Sequence, residues 1–175
     1  MSSYPTPENN VTLRTGITIF PSQAKAMDQV ISELAERSPA AFILVTDVSG
    51  HLVTSKGDSD KRHLLALAAL VAGDLAASQE IARMTGEYKS CQLVLREGEK
   101  VNTFIAEAGL FLVVFVLVAR DVPLGWARIL IQEAAHQIAE IISTPSDDVS
   151  SLKIGLDDEN LQDLIGEAFD TLLKE

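Results

Sequence analysis

Three histidines, one cysteine and a pair of nearby aspartates are the residues of this 175-residue chain whose types could carry chemistry, and their spacing assigns a reaction to none of them. His51, His63 and His136 fall in a predicted strand, at a helix start and in a later helix, and none is expected to find a ligand-type partner one helical turn away. Cys91 lies in a predicted strand without local signs of a lowered pKa, which predicts a buried, inert thiol. Asp58 and Asp60 share a loop with Gly57, but the rest of a calcium-loop pattern is missing, so a solvated loop capping the next helix is expected. Phosphate-loop, dinucleotide, zinc-protease, nucleophile-elbow and paired-cysteine motifs are all absent. The chain is therefore expected to hold no catalytic residues, no metal and no cofactor.

The elements follow from periodicity and turn chemistry. Residues 1–16 are polar, with Pro5 and Pro7, and are expected to form a flexible arm ahead of a domain at 17–143. Helical spacing of Ala24, Met27, Val30, Ile31 and Leu34 predicts a first helix from Pro21 or Ser22 to about Arg37. "AAFILVTDVSGHLVTS" reads as two strands around a tight turn carrying Asp47 and Gly50. A long helix over about Asp60–Thr85 follows, with Gly86 as its C-cap. Three strands divided by "EGEK" and "EAG" come next, and Leu110–Ala119, apolar on both faces, marks a central strand. A third helix starts near Leu124, behind Pro123. Residues 144–156 read as a linker, and residues 157–175 as an amphipathic helix with Leu161, Leu164, Ile165, Ala168, Phe169 and Leu172 on one stripe.

The long helix contains "LLALAALVAG", ten residues without a charge. On a 3.6-residue wheel Leu64, Leu67, Val71, Leu75 and Ala82 gather on the side expected to face the sheet. Leu70, Ala77, Ile81 and Met84 adjoin them, while Leu65, Ala69, Ala72, Gly73 and Ala76 spread over the remaining arc; Asp74 puts a charge in the middle. Soluble monomers seldom expose so large an apolar patch, so a second copy and a partner are expected to cover it. Burial inside its own domain is the alternative. The terminal stripe has two readings as well: it folds back on its own sheet or on a second copy, or it docks into a groove of another protein on its tether.

Composition narrows the partners. The net charge of −11, without any cluster of Lys and Arg, argues against nucleic acid and anionic lipid. A single cysteine cannot form an internal disulfide, and no signal peptide opens the sequence, so a reducing cytoplasm is expected. The longest apolar run, Leu110–Ala119, is half the ~20 residues of a spanning helix, so no membrane insertion is expected.

The D-x-x-G turn at Asp47–Gly50, L-V-A-G at Leu70–Gly73 and P-L-G at Pro123–Gly125, in this order and spacing over about Pro39–Ile142, resemble the roadblock family, and within it the MglB-type regulators of bacterial Ras-like GTPases. The resemblance implies an α/β (α+β) sandwich, with a five-stranded antiparallel sheet carrying the second helix on one face and the first and third on the other. It implies a homodimer joined through edge strands and second helices into one continuous sheet. It further implies a platform for a Ras-like small GTPase of MglA type at Leu65, Ala69, Ala72, Gly73 and Ala76, with the terminal stripe reaching the GTPase from outside. Such a protein binds the GTP form and stimulates hydrolysis without being an enzyme, with an effect on nucleotide exchange through the terminal helix; a scaffold without effect on turnover is the alternative. No arginine is expected at the platform centre, since Arg62 and Arg83 lie near the helix ends. Arginines placed at both Ala72 and Ala76 are expected to abolish the complex while the sheet still folds.

Overall fold

In a computed structural model of the chain, the described residues are 10–57, 61–86 and 93–144. They form β1 (Val11–Thr12), β2 (Thr18–Ile19), α1 (Pro21–Arg37), β3 (Ala40–Asp47), β4 (Leu52–Gly57), α2 (Lys61–Thr85), β5 (Leu93–Glu97), β6 (Val101–Ala108), β7 (Leu112–Ala119) and α3 (Leu124–Ser143). The chain divides into two units, Met1–Thr144 and Pro145–Glu175. Cys91, Asp58, Asp60 and the whole terminal stripe lie outside the described residues.

The main sheet has the order β4-β3-β7-β6-β5 and is antiparallel throughout, which is the architecture the resemblance implies. Apolar β7 lies at its centre because it is covered on both sides. Val114, Val116 and Val118 join Met27, Ile31, Ile131 and Ile138 under α1 and α3, and Val113 and Phe115 join Leu44, Ile105, Leu64, Val71 and Leu75 under α2. Alternation along each strand therefore feeds two separate cores.

Coverage of the two faces is unequal. Among the described residues two helices roof one side, whereas α2 alone lies on the other, packed on β3, β4, β6 and β7. Five strands at the usual inter-strand spacing make a sheet about 19 Å wide, and one helix is about 10 Å across. Among the described residues, roughly half of this face has no helix over it.

Residues 10–16 depart from the expected loose arm. Val11 pairs with Ile19 and Thr12 with Thr18, and Leu13, 5% exposed, joins the core under α1 and α3. The alternation Val11, Leu13 and later Ile19 was too short to show a period against the surrounding polar residues, so only tertiary burial reveals it.

The β3–β4 turn is built by Asp47, whose Oδ1 accepts the Ser49 N–H (2.9 Å), the His51 N–H (2.8 Å) and the Ser49 hydroxyl (2.7 Å). Gly50 closes it at φ +87°, and a Cβ there would sit 2.7 Å from the Ala69 Cα of α2. Gly50→Ala is expected to lower stability by about 2–4 kcal/mol, read by thermal unfolding, because backbone strain and a clash with helix backbone add. Gly16→Ala, at φ +82° but with nothing within 4 Å of its Cβ, carries only the strain and is expected to cost about 1–2 kcal/mol.

Candidate functional site: the uncovered faces of helix α2

α2 leaves its own fold largely apolar. Leu65 is 54% exposed, Leu70 70%, Ile81 63% and Met84 76%. The stretch His63–Thr85 even has the length and mean hydropathy (1.5) of a membrane span, which the count of consecutive apolar residues did not anticipate. Its buried stripe of Leu64, Ala68, Val71 and Leu75 is nonetheless seated on Leu44, Ile105, Val113 and Phe115. The open faces are thus the remainder of an amphipathic packing rather than a free apolar rod.

Two contacts orient these faces. Asp74 reaches Arg96 on β5, and Ala69 lies against Gly50 of the β3–β4 turn. At 100° per residue, Asp74, Ser78 and Ile81, with Leu70 beside them, therefore look toward the edge strand β5. Leu65, Ala69 and Ala76 look toward the β3–β4 turn, and Gly73, Ala77 and Met84 run along the crest. Leu70 and Ile81 thus lie on one flank, and the short Ala69, Gly73, Ala76 and Ala77 on the other flank and the crest, with Leu65 and Met84 toward the helix ends.

The sequence-based platform is brought together with one exception. Leu65, Ala69, Gly73 and Ala76 are all exposed, but Ala72 is only 5% exposed. Ala72 stands one turn from Ala68 and Leu75, both buried, and its methyl is covered along with them. Leu67 and Ala82, expected to face the sheet, are half-buried at the margins of the contact.

Asp74 is not an isolated charge. The Arg96 guanidinium grips both carboxylate oxygens, Nη2 lying 2.5 Å from Oδ1 while Nη1 meets Oδ2. These charge-assisted hydrogen bonds hold the Asp74 carboxyl below its ordinary range against the opposing effect of partial burial, and they raise Arg96. An arginine therefore reaches the middle of α2 from another element, on the flank away from Leu65, Ala69 and Ala76. The register Val94↔Ile105 puts Val94 on the α2 face of the sheet, and strand alternation carries Arg96 to the same face. That alternation was the only signal available, and it becomes one only when the pairing is known. Arg83 is engaged by Glu80 at 2.5 and 2.8 Å.

His51 and His136 have polar neighbours among the described residues. Ser49 Oγ and Asp47 Oδ2 both approach the same ring nitrogen of His51, Nδ1, at 3.0 and 3.7 Å, so the ring cannot relay a proton between them. His136 does have a ligand-type residue one turn on, since its Nε2 lies 3.4 Å from Glu140 Oε1, but among the described residues no third group completes a metal site.

No protein-family model and no curated protein matches the sequence. The fold, however, matches solved structures. An MglB in a tetrameric arrangement aligns with a TM-score of 0.65 and 25% identity over 71% of this chain and 93% of that one. The gliding protein MglB of Thermus thermophilus gives the same TM-score and identity over 71% and 94%. MglB of Myxococcus xanthus aligns with a TM-score of 0.62 and 26% identity over 67% and 94%. A roadblock/LC7 domain from Streptomyces avermitilis, at 20% identity and a TM-score of 0.53, shares the fold. The sheet order and the two cores are those of the roadblock fold, and within that fold the chain is similar to the MglB structures.

Proposed function

We propose that this protein is a homodimeric, non-catalytic regulator that binds the GTP form of a Ras-like small GTPase of MglA type in the cytoplasm and stimulates its GTP hydrolysis. The observation that carries this reading is the sheet face, half-roofed among the described residues, beneath a helix whose exposed positions from Leu65 to Ala77 are all non-polar. A second copy placed with its own α2 beside the first, and its β5 edge along the first β5 edge, supplies the missing roof by two-fold symmetry. The tetrameric arrangement of one similar MglB and the gliding role named for another support an assembling protein in a system of that kind.

The small-residue side of α2, with Leu65, Ala69, Gly73 and Ala76, is then the platform for the GTPase, because short side chains allow close approach of another backbone. The terminal stripe of Leu161, Leu164, Ile165, Ala168, Phe169 and Leu172 reaches the same GTPase and acts on nucleotide exchange. Stimulation arises from preferential binding of one GTPase conformation, in which the GTPase's own groups are aligned. The protein contributes shape, with neither a cofactor nor a metal.

Single-turnover GTP hydrolysis by an MglA-type GTPase, with and without saturating protein, tests this. At least a tenfold acceleration is expected, and Arg83→Ala should retain it within about threefold, whereas loss of a true arginine finger removes about 10³-fold or more. An unchanged rate in the saturated complex would leave a scaffold.

A further inference from the structure

Between Leu64 and Gln79 the only charged residue of α2 is Asp74, and it lies on the flank that faces β5. A lone carboxylate on an apolar surface opposes the covering of that surface by protein, since its hydration is lost. Here the carboxylate is already four-fifths shielded, with its side chain 20% exposed, and both of its oxygens are taken by a guanidinium from the edge strand. The carboxylate's charge and hydrogen bonding are thus met before any partner arrives, while the Arg96 side chain, 56% exposed, still has hydration for a partner to displace.

We infer that the Asp74–Arg96 fork is an ion pair of the homodimer interface, enclosed by the second copy, and that it positions the β5 edge and the α2 flank as one surface. The inference rests on the homodimer reading above. Three features single out this pair. It joins α2 to the edge strand β5. It neutralises the one charge that α2 carries between Leu64 and Gln79. Its planar bidentate geometry fixes the spacing between strand and helix more tightly than a point charge does.

The energetic signature separates this role from that of an ordinary surface pair. A solvent-exposed ion pair contributes little, and either partner can be removed with small effect. An enclosed pair behaves otherwise: removing one member strands the other charge, whereas removing both leaves an apolar contact of similar worth.

Sedimentation of the full chain over a concentration series tests this with Asp74→Asn, Arg96→Met and the double variant. Each single substitution is expected to raise the dimer Kd by about tenfold or more, and the double to return it to within about fivefold of wild type. Shifts below about threefold for both singles, or additive losses in the double, would overturn the inference while the dimer reading stands. A wild-type protein that stays monomeric throughout would remove the dimer reading, and this inference with it. Coupling seen in GTPase affinity but not in dimer Kd would assign the fork to the GTPase and overturn the proposal. Should a single variant fail to fold, Arg96→Lys keeps the charge without the fork; an intermediate loss is expected, and wild-type affinity would count against the positioning role.

Discussion

Replacing Leu70 and Ile81 together with aspartate is expected to yield a folded monomer. Both side chains are more than 60% exposed on the β5-side flank of α2, so neither core loses a contact and the thermal midpoint should stay within a few degrees of wild type. In the proposed two-fold dimer the same change removes four apolar side chains from the interface and puts four carboxylates in their place. Burying one Leu or Ile is worth about 1.5–3 kcal/mol, and each stranded carboxylate adds a desolvation cost. Dimer affinity should fall by about 10³-fold or more, which is complete dissociation at micromolar concentration. Sedimentation velocity reads this directly, and a persistent dimer would show that the protomers meet elsewhere.

Arginine at both Ala69 and Gly73 is expected to have the complementary effect: a dimer that no longer binds the GTPase. Both positions are exposed, and a Cβ at Gly73 meets nothing within 4 Å. Replacing a helix-interior glycine also favours the helix by about 1 kcal/mol, so folding is not at risk from that site. Two guanidinium groups on the small-residue side hold a docking backbone away, and affinity for the GTP-bound GTPase should drop by about 100-fold or more in a titration, with sedimentation unchanged. Undiminished binding would move the platform off this side of α2. Ala72 is unsuitable for such a test, because a guanidinium forced into its 5% exposed position would disturb the α2 packing itself. With it, the expectation that arginines at Ala72 and Ala76 leave the sheet folded no longer holds.

The two variants together separate assembly from recognition, which a single all-round apolar helix did not allow. From the wheel alone, Leu70 with Ile81 and Ala69 with Gly73 were adjoining arcs without an address. The Asp74–Arg96 fork and the Gly50–Ala69 approach supply one.

What the amino-acid order determined by itself was everything local. Pro21 and the Met27, Ile31, Leu34 stripe set α1, Asp47 and Gly50 set the β3–β4 turn, the two-sided apolarity of β7 marked the sheet centre, and the excess of apolar surface on α2 was countable residue by residue. These rest on periods of 2 and 3.6 residues and on turn chemistry, all of which act over a few positions. Only the tertiary structure decided that Leu13 belongs to a core, that Ala72 is covered, that Arg96 answers Asp74 across 22 positions, and which flank of α2 looks toward which edge of the sheet. Each of those depends on pairing between segments far apart in the chain, and strand order and register are set by how all the faces are buried together.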